Sequence, residues 1–391
     1  MDFFRKKLSS KTARATAAVL AAALVLFVLV RLAVAPGKSS GGKPEEYAEY
    51  ETARVLQILS DNTSRDGTAD GGWRGEQMLT AEVRSGQYRG ETLLAYNYVG
   101  PLYGGPVREG DTVVLIISTY SDGKHTATVY EYGRTLPLLV ILALFVCVTV
   151  LVGGKTGLKS LLSLTFTFLC LILLLIPALM KGAPMIFTTF LVCAYIAVVC
   201  LTLMGGVTVK TVCAAAGAVA GTAFAMLFGL LSQALARVDG LREADAEALL
   251  QMRQTGESAV GLRGLLVAGI IVSSLGAVMD VTMGIASSLQ EVHAANGSLG
   301  RKELFRSGLN IGRDMVGTMS NTLILAFVGS DLTLAIYLYS LGLSFHQLIS
   351  SAYLSLEMIS GLSSSVGVIL SIPVTAWVTA TVLSRRPDPA R

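Results

Sequence analysis

An aspartate in the middle of an apolar run is the first residue of this chain that raises a chemical question. The run reads Ser273-Ser274-Leu275-Gly276-Ala277-Val278-Met279-Asp280-Val281-Thr282-Met283-Gly284-Ile285-Ala286-Ser287-Ser288-Leu289-Gln290-Glu291. Helical residues three and four apart share a face, so Ser273, Gly276, Asp280, Gly284 and Ser287 form one stripe of small and polar side chains. A second stripe follows in Asn310-Ile311-Gly312-Arg313-Asp314-Met315-Val316-Gly317-Thr318-Met319-Ser320-Asn321, where Asp314, Gly317, Thr318 and Asn321 align. A charged group in hydrocarbon costs roughly 2.5–3.5 kcal/mol even on the lenient insertion scale, so neither stripe is expected to face lipid. Such an acid usually marks an ion or proton relay. The plainer reading is a structural carboxylate hydrogen-bonded to Ser and Thr hydroxyls of neighbouring helices. Both readings stay open for Asp280.

The other candidates are weaker. Asp314 stands beside Arg313 near the inner boundary, where solvation alone accounts for it. Asn321 lies deeper and suits either a functional contact or a hydrogen bond between helices. Glu357 falls in an ambiguous stretch near the outer end, as an interfacial acid or a coupling group. Glycines at 276 and 284, one turn to each side of Asp280, let a helix approach and leave room beside the carboxylate. A bulky Gly284→Leu is therefore expected to clash. Gly317 reads the same way. Gly217 and Gly221, in Gly217-Ala218-Val219-Ala220-Gly221, match the small-xxx-small packing pattern. Ser363-Ser364-Ser365 with Gly367 reads as a close-packing face. Two intramembrane aspartates also suggest an aspartyl protease, since such a dyad shares one proton. The presenilin-type Gly-x-Gly-Asp block is absent, however; the local sequence is Ile311-Gly312-Arg313-Asp314. No Walker loop, zinc motif or nucleophile elbow occurs. No enzyme activity, cofactor or metal site is expected, and His125, beside a turn, reads as an exposed polar residue.

These stripes need membrane helices to carry them, and the composition supplies them. Of 391 residues 52% are hydrophobic and 15% charged, with mean hydropathy +0.61; soluble domains are about 25% charged. Several apolar runs reach ~20 residues, enough to cross a bilayer. The lipid bilayer is thus the first partner. The net charge of +4 and the lack of a basic stripe argue against nucleic acid. Cys147, Cys170, Cys193, Cys200 and Cys213 all lie in apolar runs without a C-x-x-C pair. They read as small hydrophobes rather than disulfides or ligands.

In chain order, residues 1–36 comprise a cytoplasmic end, with Arg5, Lys6, Lys7, Lys11 and Arg14, and a first anchor over 16–34. A signal peptide competes, through Ala33-Val34-Ala35. Pro36 follows directly, and the apolar run exceeds the usual core of ~7–15 residues. Gly37 to Lys43 reads as a linker. Residues 45–132 read as an extracytoplasmic all-β domain, a small barrel or sandwich. Its strands are expected at 53–59, 77–83, 92–99, 112–118 and 126–132, separated by Ser85-Gly86, Gly104-Gly105-Pro106 and Ser121-Asp122-Gly123 turns. Val107-Arg108-Glu109-Gly110-Asp111 leads into the fourth. Residues 135–384 hold the helical membrane domain, with spans over 136–152, 161–180, 185–204, 211–231, 262–289, 315–327 (reaching toward 343) and 366–382. Lys155, Lys159 and Lys210 mark inner turns, and 293–313 reads as a long basic inner loop with Arg301, Lys302 and Arg306. Residues 236–259, with Leu241, Ala244, Ala248, Leu249 and Met252 at helical spacing, read as an interfacial amphipathic helix. Residues 344–360, with His346, Gln347 and Glu357, stay ambiguous. The tail, 385–391, carries Arg385 and Arg386 and is expected inside. The fold is therefore an α-helical polytopic protein of about eight spans, with the β domain between the first two.

At the two stripes the chain resembles the YibE/F-like family of bacterial membrane proteins. The resemblance rests on Gly276-Ala277-Val278-Met279-Asp280-Val281-Thr282-Met283-Gly284-Ile285-Ala286-Ser287-Ser288 and on Gly312-Arg313-Asp314-Met315-Val316-Gly317-Thr318-Met319-Ser320-Asn321-Thr322-Leu323. It implies the same layout, an anchor, a β domain and a helical core, and a bacterial plasma membrane of Gram-positive type. It implies no particular activity. A looser similarity, in the order of Asp280, Arg301 to Arg306 and Thr318 to Thr322, is to the SecD/SecF and resistance-nodulation-division exporters; it is an analogy only.

The expected function is a secondary transporter or exporter-like permease, coupled to an ion gradient and moving a small solute or ion. The alternative is a non-transporting scaffold whose β domain holds a partner. Homo- or hetero-oligomerisation through the membrane domain is open under both.

Overall fold

The computed structural model describes residues 2–34, 47–67, 72–101, 103–119, 125–238, 246–254, 259–262 and 264–385. The expected linker, together with Leu241, Ala244, Gly123 and Arg386, lies outside them. The chain divides into two compact units, 40–148 and 1–39 with 149–391.

The smaller unit comprises a closed barrel and the first residues, 135–148, of the helix that follows it. Its strands are β1 (Tyr47–Asp61), the two-residue β2 (Ser64–Arg65), β3 (Trp73–Val83), β4 (Thr92–Val99), β5 (Thr112–Thr119) and β6 (His125–Tyr132). Alternation sets inside from outside. Along β3 the odd positions from Gln77 to Val83 are buried, and along β4 Ala95, Asn97 and Val99 are. Leu79, Ala81, Val113, Leu115, Ile117, Ala53, Val55 and Ala127 fill the interior. β1 pairs with both β5 and β3, and a short parallel bridge between β4 and β6 closes the ring. Leaving out β2, the order 1-3-4-6-5-1 is the five-stranded Greek-key barrel of OB type. β1 does double service because it is long and bulged, with register shifts at Val55/Gln57 and Ile58/Ser60.

One polar knot inside the barrel pins the segment between β4 and β5. Gln77, 1% exposed, accepts from the Val107 N–H at 2.8 Å and from Asn97 Nδ2 at 2.9 Å, and donates to Asp61 Oδ2 at 2.9 Å. Tyr132 Oη donates to the Pro106 carbonyl at 2.7 Å. Gln77→Leu fits the space but leaves the Val107 N–H without its acceptor, at roughly 1–3 kcal/mol, and Asn97 with only its bond to the Gly105 carbonyl at 3.3 Å. The barrel is expected to lose several degrees of melting temperature. The measurement uses Trp73 fluorescence in a Trp377→Phe background, since these are the two tryptophans. An unchanged melt would show that the knot adds nothing.

Asp61 makes the same knot pH-dependent. The Thr63 hydroxyl at 2.6 Å, the Thr63 N–H at 2.9 Å and Gln77 Nε2 hold its carboxyl below the ordinary carboxylate value. A group depressed in the folded state stabilises above its unfolded pKa, near 3.9, and that contribution is lost as pH falls through the folded value. Barrel stability is therefore expected to fall below about pH 4. Asp61→Asn should flatten that acid limb; the same slope in both proteins would place the titration elsewhere.

The larger unit is helical. α1 (Asp2–Val34) carries a 17-residue apolar segment, Ala15–Arg31. It docks through the Val207 N–H on Thr16 Oγ1 (2.9 Å) and Tyr195 Oη on the Ala23 carbonyl (2.6 Å). α2 (Thr135–Cys170) runs through a π-helical turn, Leu171–Leu175, into α3 (Ile176–Met180). Lys155 and Lys159 thus lie on helix rather than in a loop. The break expected between two spans shrinks to Gly154, whose φ of 53° and ψ of −132° suit glycine. At ~1.5 Å per residue the whole stretch is more than twice a bilayer's thickness.

α4 (Met185–Gly205), α5 (Val209–Ala236), α6 (Ala246–Gln254), α7 (Leu265–Ala295), α8 (Arg301–Ser330), α9 (Leu332–Ser340), α10 (Phe345–Ile349) and α11 (Ala352–Leu383) follow. Thr208 caps α5. The long basic loop expected at 293–313 is mostly helix. Only residues 296–300 connect α7 to α8, because Leu304, Gly308 and Gly312 form a buried face while Arg301, Lys302, Arg306 and Arg313 stay exposed. The ambiguous 344–360 stretch resolves into α10, capped by Ser344, and the first turns of α11. The seventh expected span is bent by 63° between α8 and α9. Among the described residues five helical stretches are long and apolar enough to cross a membrane, or six if the bent pair counts as one span. α5, α7 and α11 pack on one another at the centre, with α4 and α8 against them. Cys170, Cys193, Cys200 and Cys213 are buried in this core.

Candidate functional site

The site is the seam between α7 and α8. α7 buries Ile271, Ser274, Leu275, Val278, Val281, Thr282, Ile285 and Leu289 against its neighbours. That choice turns the stripe the other way: Ser273, Gly276 and Asp280 are exposed, Gly284 and Ser287 half-buried. α8 buries Leu304, Gly308 and Gly312, so Asp314, Gly317, Thr318 and Asn321 are also exposed.

Two close contacts set the register. A Cβ built on Gly284 would lie 3.0 Å from Met315 Cε, and one on Gly308 would lie 2.9 Å from Leu289 Cδ1. The helices therefore run antiparallel, as their short connection requires. One turn from Gly284 brings α7 to Asp280, and one turn beyond Asp314 and Met315 brings α8 to Thr318 and Met319. Asp280 and Thr318 are thus level on adjacent helices, and Gly284 is level with Asp314. α11 stands behind the seam: Ser273 Oγ lies 3.2 Å from Ser364 Oγ. Ser364 is a member of the site that the sequence hides, because it sits in a run of three serines with no sign of which one faces α7.

No hydrogen bond or ion pair holds Asp280, Asp314 or Asn321 among the described residues. Thr318 turns its hydroxyl back to the Met315 carbonyl at 3.1 Å, and Thr322 does the same to Thr318. The plainer reading of Asp280, a carboxylate tied to neighbouring hydroxyls, is therefore not the arrangement found. Glu357 lies elsewhere, half-buried in an apolar cleft of about 270 Å³ with Phe327, Asp331, Leu338, Met358 and Gly361. The cleft lies where α8 bends into α9, and α11 forms its other wall.

The glycines sort differently from the expectation. A Cβ added at Gly276 or Gly317 would have nothing within 4 Å, and one at Gly284 would meet only the tip of Met315. Among the described residues Gly276 and Gly317 face open space, and Gly284→Leu displaces one flexible side chain, that of Met315, rather than a helix. Gly217 and Gly221 do carry a close approach. A Cβ at Gly221 would fall 2.7 Å from Ser371 Cβ and 3.1 Å from the Gly367 carbonyl oxygen, and one at Gly217 would strike Thr375.

A membrane protein with a core of α5, α7 and α11, an acid-bearing seam and a separate small barrel is the class these features define. The family model described as YibE/F-like protein matches residues 141–385, and the chain belongs to that family. The match covers the helices from α2 to α11 and leaves α1 and the barrel strands outside it. No curated protein and no solved structure shows a significant match.

Proposed function

We propose that this protein is a secondary transporter or exporter-like permease that moves a small solute or ion through the α7–α8 seam, driven by an ion gradient. The observation that supports the reading is one of placement. Both acid-bearing faces flank one seam, with Asp280 level with Thr318 and Asp314 one turn away, level with Gly284, and with no described side chain paired to Asp280 or Asp314. In hydrocarbon such faces must be hydrated or covered. A hydrated seam gives Asp280 access to ions, and Thr318, level with it on α8, supplies a neutral oxygen. The scaffold alternative called for both acids in dry, paired contacts, and Asp280 has no such contact among the described residues.

In this reading the protein spans a bacterial plasma membrane about eight times, with both termini cytoplasmic and the barrel extracytoplasmic. The supporting count takes α1, the two halves of 135–180 divided at Gly154, α4, α5, α7, the bent α8–α9 pair and α11 as one span each. Cysteines placed at Lys155, Lys210 and Arg301 are expected to resist an impermeant thiol reagent in intact cells, and one at Gly123 to react. Labelling at Arg301 from outside would end the eight-span arrangement. For transport itself, metabolite and metal profiles of a deletion strain are compared with those of the complemented strain. A specific solute or ion should change its cellular level; identical profiles under all gradients tested would remove the transporter reading.

A further inference from the structure

We propose that the exterior face of the barrel binds an uncharged saccharide chain through a patch of tyrosines. The patch is built by alternation. On β4, Ala95, Asn97 and Val99 point inward, so Tyr96 and Tyr98 point out. β6 runs parallel to β4 with Tyr96 opposite Thr128, and Tyr98 and Tyr130 each follow two residues further along their own strands, on the same outer face. Tyr130 occupies the bulge where β6 slips against β5 and is lifted from the sheet. It meets Tyr50 of β1 edge-on, ring centres 5.2 Å apart. All four rings are open, from 38% exposed at Tyr96 to 58% at Tyr50. None of the four belongs to the barrel's buried core.

The chemistry around the rings selects the occupant. β4 and β6 contain no Lys or Arg, and Arg74, at the end of β3, is paired with Asp66. Between Glu45 and Tyr132 the chain holds 14 Asp and Glu against seven Lys and Arg, a net charge of −7. That field repels nucleic acid, anionic lipid headgroups and a second copy of the same barrel. Barrels of this topology bind oligonucleotides or oligosaccharides on the face of their second and third strands, here β3 and β4, which carries Tyr96 and Tyr98, and of these two ligands the charge disfavours the oligonucleotide. A sugar ring presents an apolar C–H face to an aromatic ring. Its hydroxyls find acceptors in the tyrosine oxygens, Thr128 and Glu76, the last paired across the ladder with Tyr98. The inference does not depend on the transporter reading.

The test uses the full chain in lipid nanodiscs, titrated calorimetrically with a hexamer of β-1,4-linked N-acetylglucosamine. Saturable binding is expected. The triple substitution Tyr96→Ala, Tyr98→Ala, Tyr130→Ala should weaken it at least roughly tenfold, as loss of stacked rings does elsewhere. The matching Phe triple should retain most of it, because the ring faces remain. Trp73 fluorescence melts establish that the barrel is folded, and Tyr98→Ala alone serves if the triple is not. Absence of saturable binding, equal affinity in the alanine variant, or equal binding of a thymidylate hexamer would each overturn the proposal. So would a barrel-mediated dimer lost in the alanine variant without sugar binding, which would assign the face to a second copy.

Discussion

Asp280→Asn is expected to reduce gradient-driven function to the level of the deletion strain, with membrane abundance and melting behaviour unchanged. Asn is nearly isosteric with Asp and keeps a polar tip, but it cannot ionise. Since no described side chain or backbone group bonds to the Asp280 carboxylate, the exchange strands no partner, and the penalty for an orphaned polar group does not arise. Removing a charge from an exposed position inside the membrane domain is neutral or mildly stabilising. Activity and stability should therefore separate cleanly. Asp280→Glu, which keeps the charge but reaches one methylene further, should retain part of the function. Asp314→Asn should cost less, because the neighbouring Arg313 supplies a compensating charge beside Asp314. Complementation of the deletion strain by Asp280→Asn, at equal abundance, would remove Asp280 from any coupling role.

Gly221→Leu should do the reverse and destroy the folded helical unit. Gly221 is where α5 and α11 meet. A Cβ there would stand 2.6 Å from Val278 Cγ1 and 2.7 Å from Ser371 Cβ, and the opposing Gly367 would place its own 2.9 Å from the Gly221 carbonyl oxygen. Backbone faces backbone, so no rotamer change relieves the contact and the helices must part. Overpacking a core commonly costs about 1–3 kcal/mol; a Leu at this crossing exceeds that range because α11 also carries the contacts of α7 and α8. The expected result is loss of the monodisperse peak in detergent, with Gly367→Leu behaving alike. Gly276→Ala and Gly317→Ala are the controls. Open space lies beside both, and replacing glycine in a helix gains up to about 1 kcal/mol. Wild-type yield and melting for Gly221→Leu would show that α5 and α11 are not packed at this point.

Periodicity alone determined most of the elements. Short β-type runs between turn signals marked all five principal strands of the barrel, Thr92–Val99 to the residue, because that pattern is local to each strand. Apolar runs located α4, α5 and α7 within a few residues for the same reason. The stripe of Asp280 was legible as a stripe, since helical geometry places residues three and four apart together wherever the helix lies. The tertiary structure alone decided which way that stripe faces. A face of small and polar residues is compatible both with tight packing and with an open seam, and only the neighbours choose. Gly221 opposes Gly367 and must be glycine; Gly276 opposes nothing among the described residues. The charges of 301–313 suggested a loop, yet the buried face of Leu304, Gly308 and Gly312 outweighed them and kept the segment helical. The barrel's closure depends likewise on β1 pairing with both β3 and β5, and the tyrosine patch on β4 lying parallel to β6. Pairings between strands far apart in sequence leave no periodic trace along the chain, so they exist only once the barrel has closed.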